Sequence, residues 1–171
     1  MKINYIPEIL KEKILSVIRY SYALSLLLVS ILSAVSLFTF DINDNSFLTN
    51  TSSASKNLLG NFGSYFASLI FYTFGILGYF IILFFFVYAV LVFINKSPQY
   101  IFIRLLLFFF SLILIPQLFF YYELKFVFID SISIWGHYAS NIYELHNLDY
   151  IHYLLSTVGL LTFLLSINIF I

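Results

Sequence analysis

Polar and apolar residues fall in blocks along this chain. Tyr20–Phe40 carries no Asp, Glu, Lys or Arg over 21 residues, Asn57–Asn95 over 39, Leu105–Tyr122 over 18 and Tyr150–Ile171 over 22. A helix needs about 20 apolar residues to cross a hydrocarbon core about 30 Å thick. Each block therefore predicts a spanning helix, because lipid offers an open backbone no hydrogen-bonding partner. Strands are the rival for a chain rich in Phe, Tyr and Ile. A membrane barrel would alternate apolar and polar positions over segments of about ten residues, whereas Ile81–Phe86 is apolar on every side. The expected fold class is all-α, a polytopic membrane protein with four transmembrane helices.

The blocks divide the chain into a single four-helix membrane domain over 1–171. Its parts are a leader at 1–19, a first span at 20–40, an outer loop at 41–57 and an interfacial lead-in plus second span at 58–94. An inner loop at 95–104, a third span at 105–122, an outer interfacial segment at 123–149 and a fourth span at 150–171 complete it. The leader is too long and polar for a cleavable signal. Pro7 suits a first helical turn, and Ile6, Ile9, Leu10, Ile14, Val17 and Ile18 then share one face. That pattern predicts a short amphipathic helix at the membrane surface.

In 123–149, Phe128, Ile132, Trp135, Ala139, Ile142 and Leu145 recur at steps of three and four. They predict an extracytoplasmic interfacial helix with Trp135 as its anchor. The second block would be almost 60 Å long as one straight helix. Its first part is expected at the outer interface, with the crossing at Tyr72–Ile94. Pro116 should kink the third span, since it has no N–H for the carbonyl of Leu112. The stretch Ser46–Lys56 reads as a flexible polar loop, and its Asn50-Thr-Ser52 matches a glycosylation sequon.

Composition narrows the function. The chain is 62% hydrophobic and only 9% charged, with a mean hydropathy of +1.01. Soluble domains carry about 25% charged residues, so a soluble globular enzyme is excluded. The absence of cysteine removes disulfides and thiolate sites, and a net charge of zero leaves no field to attract nucleic acid. With the N-terminus cytoplasmic, the inner segments hold Lys2, Lys11, Lys13, Arg19, Lys96 and Arg104, and the outer ones only Lys56 and Lys125. The positive-inside rule then gives an N-in, C-in topology.

The residues around the second span carry a motif. Phe40-Asp41-Ile-Asn-Asp44-Asn-Ser46-Phe47 closes the first span, and Asn57-Leu-Leu-Gly60-Asn-Phe-Gly63-Ser64-Tyr-Phe-Ala67 leads to Phe74-Gly75 in the second. This resembles the N-terminal four-helix membrane domain of the FtsK/SpoIIIE DNA translocases, where an Asp-x-x-Asp-Pro-Ser turn precedes an Asn-x-x-Gly-x-x-Gly-Ala segment, an Ala-Asp pair and Phe-Gly. Here Asn45 replaces the usual proline, Ser64 the alanine and Ser68 the aspartate. The resemblance implies a membrane anchor of the bacterial inner membrane, placed at the division septum in cell division and chromosome partition. It also implies a homo-oligomer, a hexamer in that family, contacts with divisome membrane proteins, and DNA handled only through a separate motor.

Gly60, Ser64, Ala67, Gly75 and Gly78 are expected on one helical face, where small residues let a neighbouring helix approach. Packing within the chain is the favoured use of that face, and a subunit contact the alternative.

No motor signature is present: the sequence lacks a Gly-x-x-x-x-Gly-Lys-Ser/Thr loop. His137, His146 and His152 stand nine and six residues apart, unlike metal-ligand pairs on one helical face. The reading is therefore no catalysis, no metal, no cofactor, and membrane lipid as a partner. The spans hold no ionisable Asp, Glu, Lys or Arg, which argues against a coupled transporter. A small channel or transporter-like protein and a free-standing divisome scaffold are the alternatives. The apolar end of the chain suggests a truncated or split translocase.

Overall fold

The structure is a computed structural model describing residues 7–47, 49–52, 54–96, 100–116, 134–135, 138 and 150–167. Its elements are α1 (Glu8–Phe38), α2 (Gly60–Phe74), a 3-10 turn (Gly75–Tyr79), α3 (Phe80–Phe93), α4 (Ile101–Leu114) and α5 (Ile151–Ile167). No strand occurs among the described residues.

Pro7 immediately precedes α1, and its carbonyl accepts from the backbone N–H groups of Leu10 and Lys11. Glu8 in the first turn complements the positive end of the helix. From there α1 runs 31 residues without interruption. The expected short amphipathic helix is thus no separate element: with no Gly or Pro between residues 8 and 38, nothing breaks the ladder between leader and first span.

The second block behaves differently. At Gly75 the backbone takes φ 60° and ψ −146°, a conformation open essentially to glycine alone. This residue ends α2 and starts the 3-10 turn. The expected single face from Gly60 to Gly78 is therefore split: Gly60, Ser64 and Ala67 belong to α2, and Gly75 and Gly78 to the turn. Helix α4 closes at Leu114, two residues before Pro116, as the missing N–H and ring clash of proline require.

Contacts between the rods give their directions. The Tyr20 ring lies tilted against Phe93, and Phe38 stacks on Tyr79 just before α3, so α1 and α3 are antiparallel. Ser30, midway, donates its hydroxyl to the Ile82 carbonyl at 3.0 Å. Phe108 meets Phe163, and Leu114 approaches Gly159, so α4 and α5 are also antiparallel. Phe80 meets Phe163, and the Tyr88 hydroxyl donates to the Ser166 carbonyl at 2.6 Å, making α3 and α5 parallel. The beginning of α1 and the end of α5 consequently lie at the same end of the bundle. An aromatic core of Phe84, Tyr88 and Phe108 joins the two helix pairs, with Phe84 and Phe108 centroids 4.2 Å apart.

The distribution of polarity is inverted relative to a soluble protein. Ser30, Ser33, Ser36, Ser64, Ser68, Ser111, Ser156 and Ser166 are buried, while Leu24, Leu28, Phe86, Phe110, Leu161 and Leu165 face outward. In water such a surface would aggregate; in lipid, small hydroxyl residues at helix contacts and apolar residues outside are the stable arrangement. Glu8–Phe38 and Gly60–Phe93 are long and apolar enough to cross a membrane, and Ile101–Leu114 and Tyr153–Ile167 are shorter apolar helices. Ile134 and Trp135 are helical, with Trp135 40% exposed. Most of the interfacial helix expected around them lies outside the described residues.

Candidate functional site

The densest polar arrangement joins the end of α1 to the start of α2. Its centre is Asp44, only 2% exposed although it sits in a connecting segment. Its carboxylate accepts from the Ser55 hydroxyl at 3.0 Å, the Lys56 backbone N–H at 2.8 Å and the Asn57 backbone N–H at 2.9 Å. The Asp44 carbonyl in turn accepts from the Thr49 hydroxyl. These bonds correct the expectation of a flexible loop over Ser46–Lys56: the chain is gathered around one buried carboxylate. A buried charge is tolerable only when hydrogen-bonded in this way.

Asp41 forms the outer side of the arrangement. Its carboxylate meets the Lys56 ammonium at 2.7 Å and accepts the Asn43 backbone N–H at 2.9 Å. The hydrogen bond from Lys56, followed by that from Asn43, holds the Asp41 carboxyl below the usual carboxylate range. The same bond raises the Lys56 ammonium above its ordinary value.

Asn57 forms the inner side. Its amide N–H donates to the Ser36 carbonyl at the end of α1 (2.8 Å), and its amide oxygen accepts the Leu59 N–H at 3.0 Å. The second bond is an Asx turn, which lets a short polar side chain organise the backbone ahead of a helix. Ser36 completes the link by donating its hydroxyl to the Gly63 carbonyl at 2.6 Å. Thr39 accepts the Leu58 N–H at 3.2 Å.

The glycines have distinct tasks here. Gly60 opens α2 at φ 62°, the left-handed region where a side chain is disfavoured. Gly63 is a close approach: a Cβ there would collide with the Asn57 amide oxygen and stand 2.7 Å from Leu59 Cβ.

The structure thus brings together Asp41, Asp44, Asn57, Gly60, Gly63 and Ser64. Ala67 continues the buried face of α2 and, like Ser64, is fully enclosed within the chain. Phe74 lies further along, its ring 6.0 Å from that of Phe109. Gly75 and Gly78 belong to the turn, where a Cβ on Gly78 would overlap the Ile70 side chain. Trp135 stands apart from this group in sequence. His137 and His146 lie outside the described residues, as does the side chain of His152.

A family described as the 4TM region of DNA translocase FtsK/SpoIIIE matches residues 17–138. The chain belongs to this family. No curated protein and no solved structure matches it. The matched region contains the whole arrangement of Asp41, Asp44 and Asn57 that clasps the end of α1 to the start of α2 (the clasp), together with α1 from Val17 onward, α2, α3 and α4; α5 lies beyond it. As an FtsK/SpoIIIE-type 4TM region the chain is a membrane domain, and the family region is the anchor and not the motor.

Two positions that depart from the family pattern touch each other. The Ser64 hydroxyl donates to the Asn45 carbonyl at 2.8 Å. Ser68, in place of aspartate, is buried and donates to the Tyr65 carbonyl of its own helix.

The sequence marks Ser36 as able to bond backbone or a neighbouring helix, and its hydroxyl does reach Gly63 of α2, but nothing in it assigns Thr39 and Ser55 a part in the clasp. A signal for Ser36 existed: a hydroxyl inside an uncharged span has no water to bond and must find an acceptor in its own helix or a neighbouring one.

Proposed function

We propose that the chain is the membrane anchor of an FtsK-like DNA translocase, holding and oligomerising the motor on the inner face of the division septum during cell division and chromosome segregation. The observation that carries this reading is membership of the 4TM family over residues 17–138. The chain's own contribution is positional. The clasp fixes the exit of α1 against the entry of α2, and the antiparallel rods return the chain to its starting side. A motor attached after α5 would therefore stand on the same side as the leader.

The excess of Lys and Arg at that end supports assigning it to the cytoplasm. Because Ser64 and Ala67 are consumed by packing within the chain, oligomer contacts fall to the outward-facing apolar surfaces and not to the Gly60–Ser64–Ala67 face.

A fluorescent fusion in dividing bacterial cells tests the reading. A band at the division site, lost when Asp44 and Asn57 are both replaced by alanine without loss of membrane insertion, is expected. Uniform membrane fluorescence in dividing cells would contradict the septal role. Solute flux through proteoliposomes, in place of a septal band, would favour a channel.

A further inference from the structure

At the end of the bundle where α1 begins, a cleft of about 540 Å³ opens between α1 and the end of α3. Glu12, Ser16, Arg19 and Tyr22 line it from α1, and Val92 and Asn95 from the other side. Arg19 is its distinctive member. One guanidinium nitrogen reaches the Tyr20 hydroxyl at 3.4 Å and the group lies 5.0 Å from that ring, but its Nε is enclosed and meets no protein acceptor. An enclosed donor without an acceptor is costly, more so for a charged group.

Tyr22 also lines a second, smaller cleft of about 200 Å³ among α1, α3 and α4, whose walls include Leu26, Phe84, Tyr88, Ile101 and Leu105. A mixed recess holding a cation and a slot with mostly apolar walls thus share Tyr22 as a common wall. This end carries Lys11, Lys13, Arg19, Lys96 and Arg104 against Glu8 and Glu12 among the described residues, so its field favours an anion although Glu12 is part of the cleft wall.

We propose that this paired cleft binds one anionic phospholipid, its phosphate on Arg19 and an acyl chain along the slot beyond Tyr22. A guanidinium is the side chain best shaped to take two phosphate oxygens at once, and basic recesses between spanning helices are where anionic headgroups settle. A free phosphate would satisfy Arg19 but leave the apolar slot without an occupant; a neutral lipid would fill the slot but bring no net negative charge to this end. The proposal rests on the membrane reading and is independent of any septal role.

The test is native mass spectrometry of the purified full chain with phosphatidylglycerol and phosphatidylcholine of identical acyl chains in competition. Preferential retention of phosphatidylglycerol is expected, falling roughly tenfold or more in Arg19→Gln through loss of the charge-assisted hydrogen bond to the phosphate. Lys13→Gln removes the same charge outside the cleft and should keep the preference. Leu105→Trp, which narrows the slot, should weaken both lipids alike, and excess inorganic phosphate should displace neither. Unchanged preference in Arg19→Gln, an equal loss in Lys13→Gln, full retention of both lipids by Leu105→Trp, or displacement by phosphate would each overturn the proposal.

Discussion

Replacing Asp44 by alanine removes the acceptor of three donors at once: the Ser55 hydroxyl and the backbone N–H groups of Lys56 and Asn57. The hydroxyl can rotate toward another acceptor, but the two amides cannot. Each donor stripped of its partner costs about 1–3 kcal/mol, so the two amides together represent about 2–6 kcal/mol, reduced by whatever water enters the opened loop. Asp44→Asn keeps one acceptor oxygen and turns a donor toward the other amide, so it should cost about half as much. Hydrogen exchange of the purified protein reads this directly at the two amides. Protection at Lys56 and Asn57 should fall by about fivefold to 150-fold in Asp44→Ala, the range that 1–3 kcal/mol per bond implies. Protection in the middle of α3 should stay as it was. If both loop amides remain as protected as before, Asp44 does not organise this segment and the clasp is not what holds α1 to α2.

Two further outcomes follow from the same geometry. Gly63→Ala forces the Asn57 amide away from its place between Ser36 and Leu59 and should destabilise the domain by about 1–3 kcal/mol, read as a lowered midpoint of thermal unfolding in detergent; Leu69→Ala, at an exposed position of the same helix, leaves the Asn57 bonds in place and serves as the contrast. The Asp41–Lys56 pair should contribute to stability over a bounded pH range. Asp41 titrates below its ordinary value when folded, so its contribution is present above the ordinary carboxylate range and disappears as pH falls through the lowered value. Lys56 titrates above its ordinary value, so its part is lost only as pH rises through that raised value. Lys56 is largely exposed, so the effect is small and weakens with salt; an Asp41→Asn variant should flatten the acid limb of a stability–pH curve.

The helices were legible because lipid imposes a length: an uncharged run of 21 or 39 residues announces a rod whatever its partners. The positions of glycine and asparagine around residues 57–75 were legible as a motif, though not as a mechanism. What the sequence concealed is lateral. Nothing in the periodicity of α1 tells that Ser36 will meet Gly63, 27 residues later, or that Asp44 will draw the backbone of Lys56 and Asn57 around itself. Helix continuity was concealed for a different reason. A shift from charged to apolar residues at Tyr20 looks like a boundary, but a backbone ladder responds to Gly and Pro and not to polarity, so α1 passes through. The opposite error arose at Gly75, where small residues at helical spacing resembled a continuous face, and a positive φ divides it.

The absence of cysteine from the natural sequence makes single-cysteine labelling the most direct test of the central claim, that antiparallel rods carry both ends of the domain to one side of the membrane. Lys11→Cys, Thr51→Cys and Ile171→Cys, each alone, would be treated in intact cells with a membrane-impermeant maleimide and again after permeabilisation. The account predicts labelling of Thr51→Cys from outside, and of Lys11→Cys and Ile171→Cys only once the membrane is opened. Labelling of either end in intact cells, or failure of Thr51→Cys to react there, would contradict it.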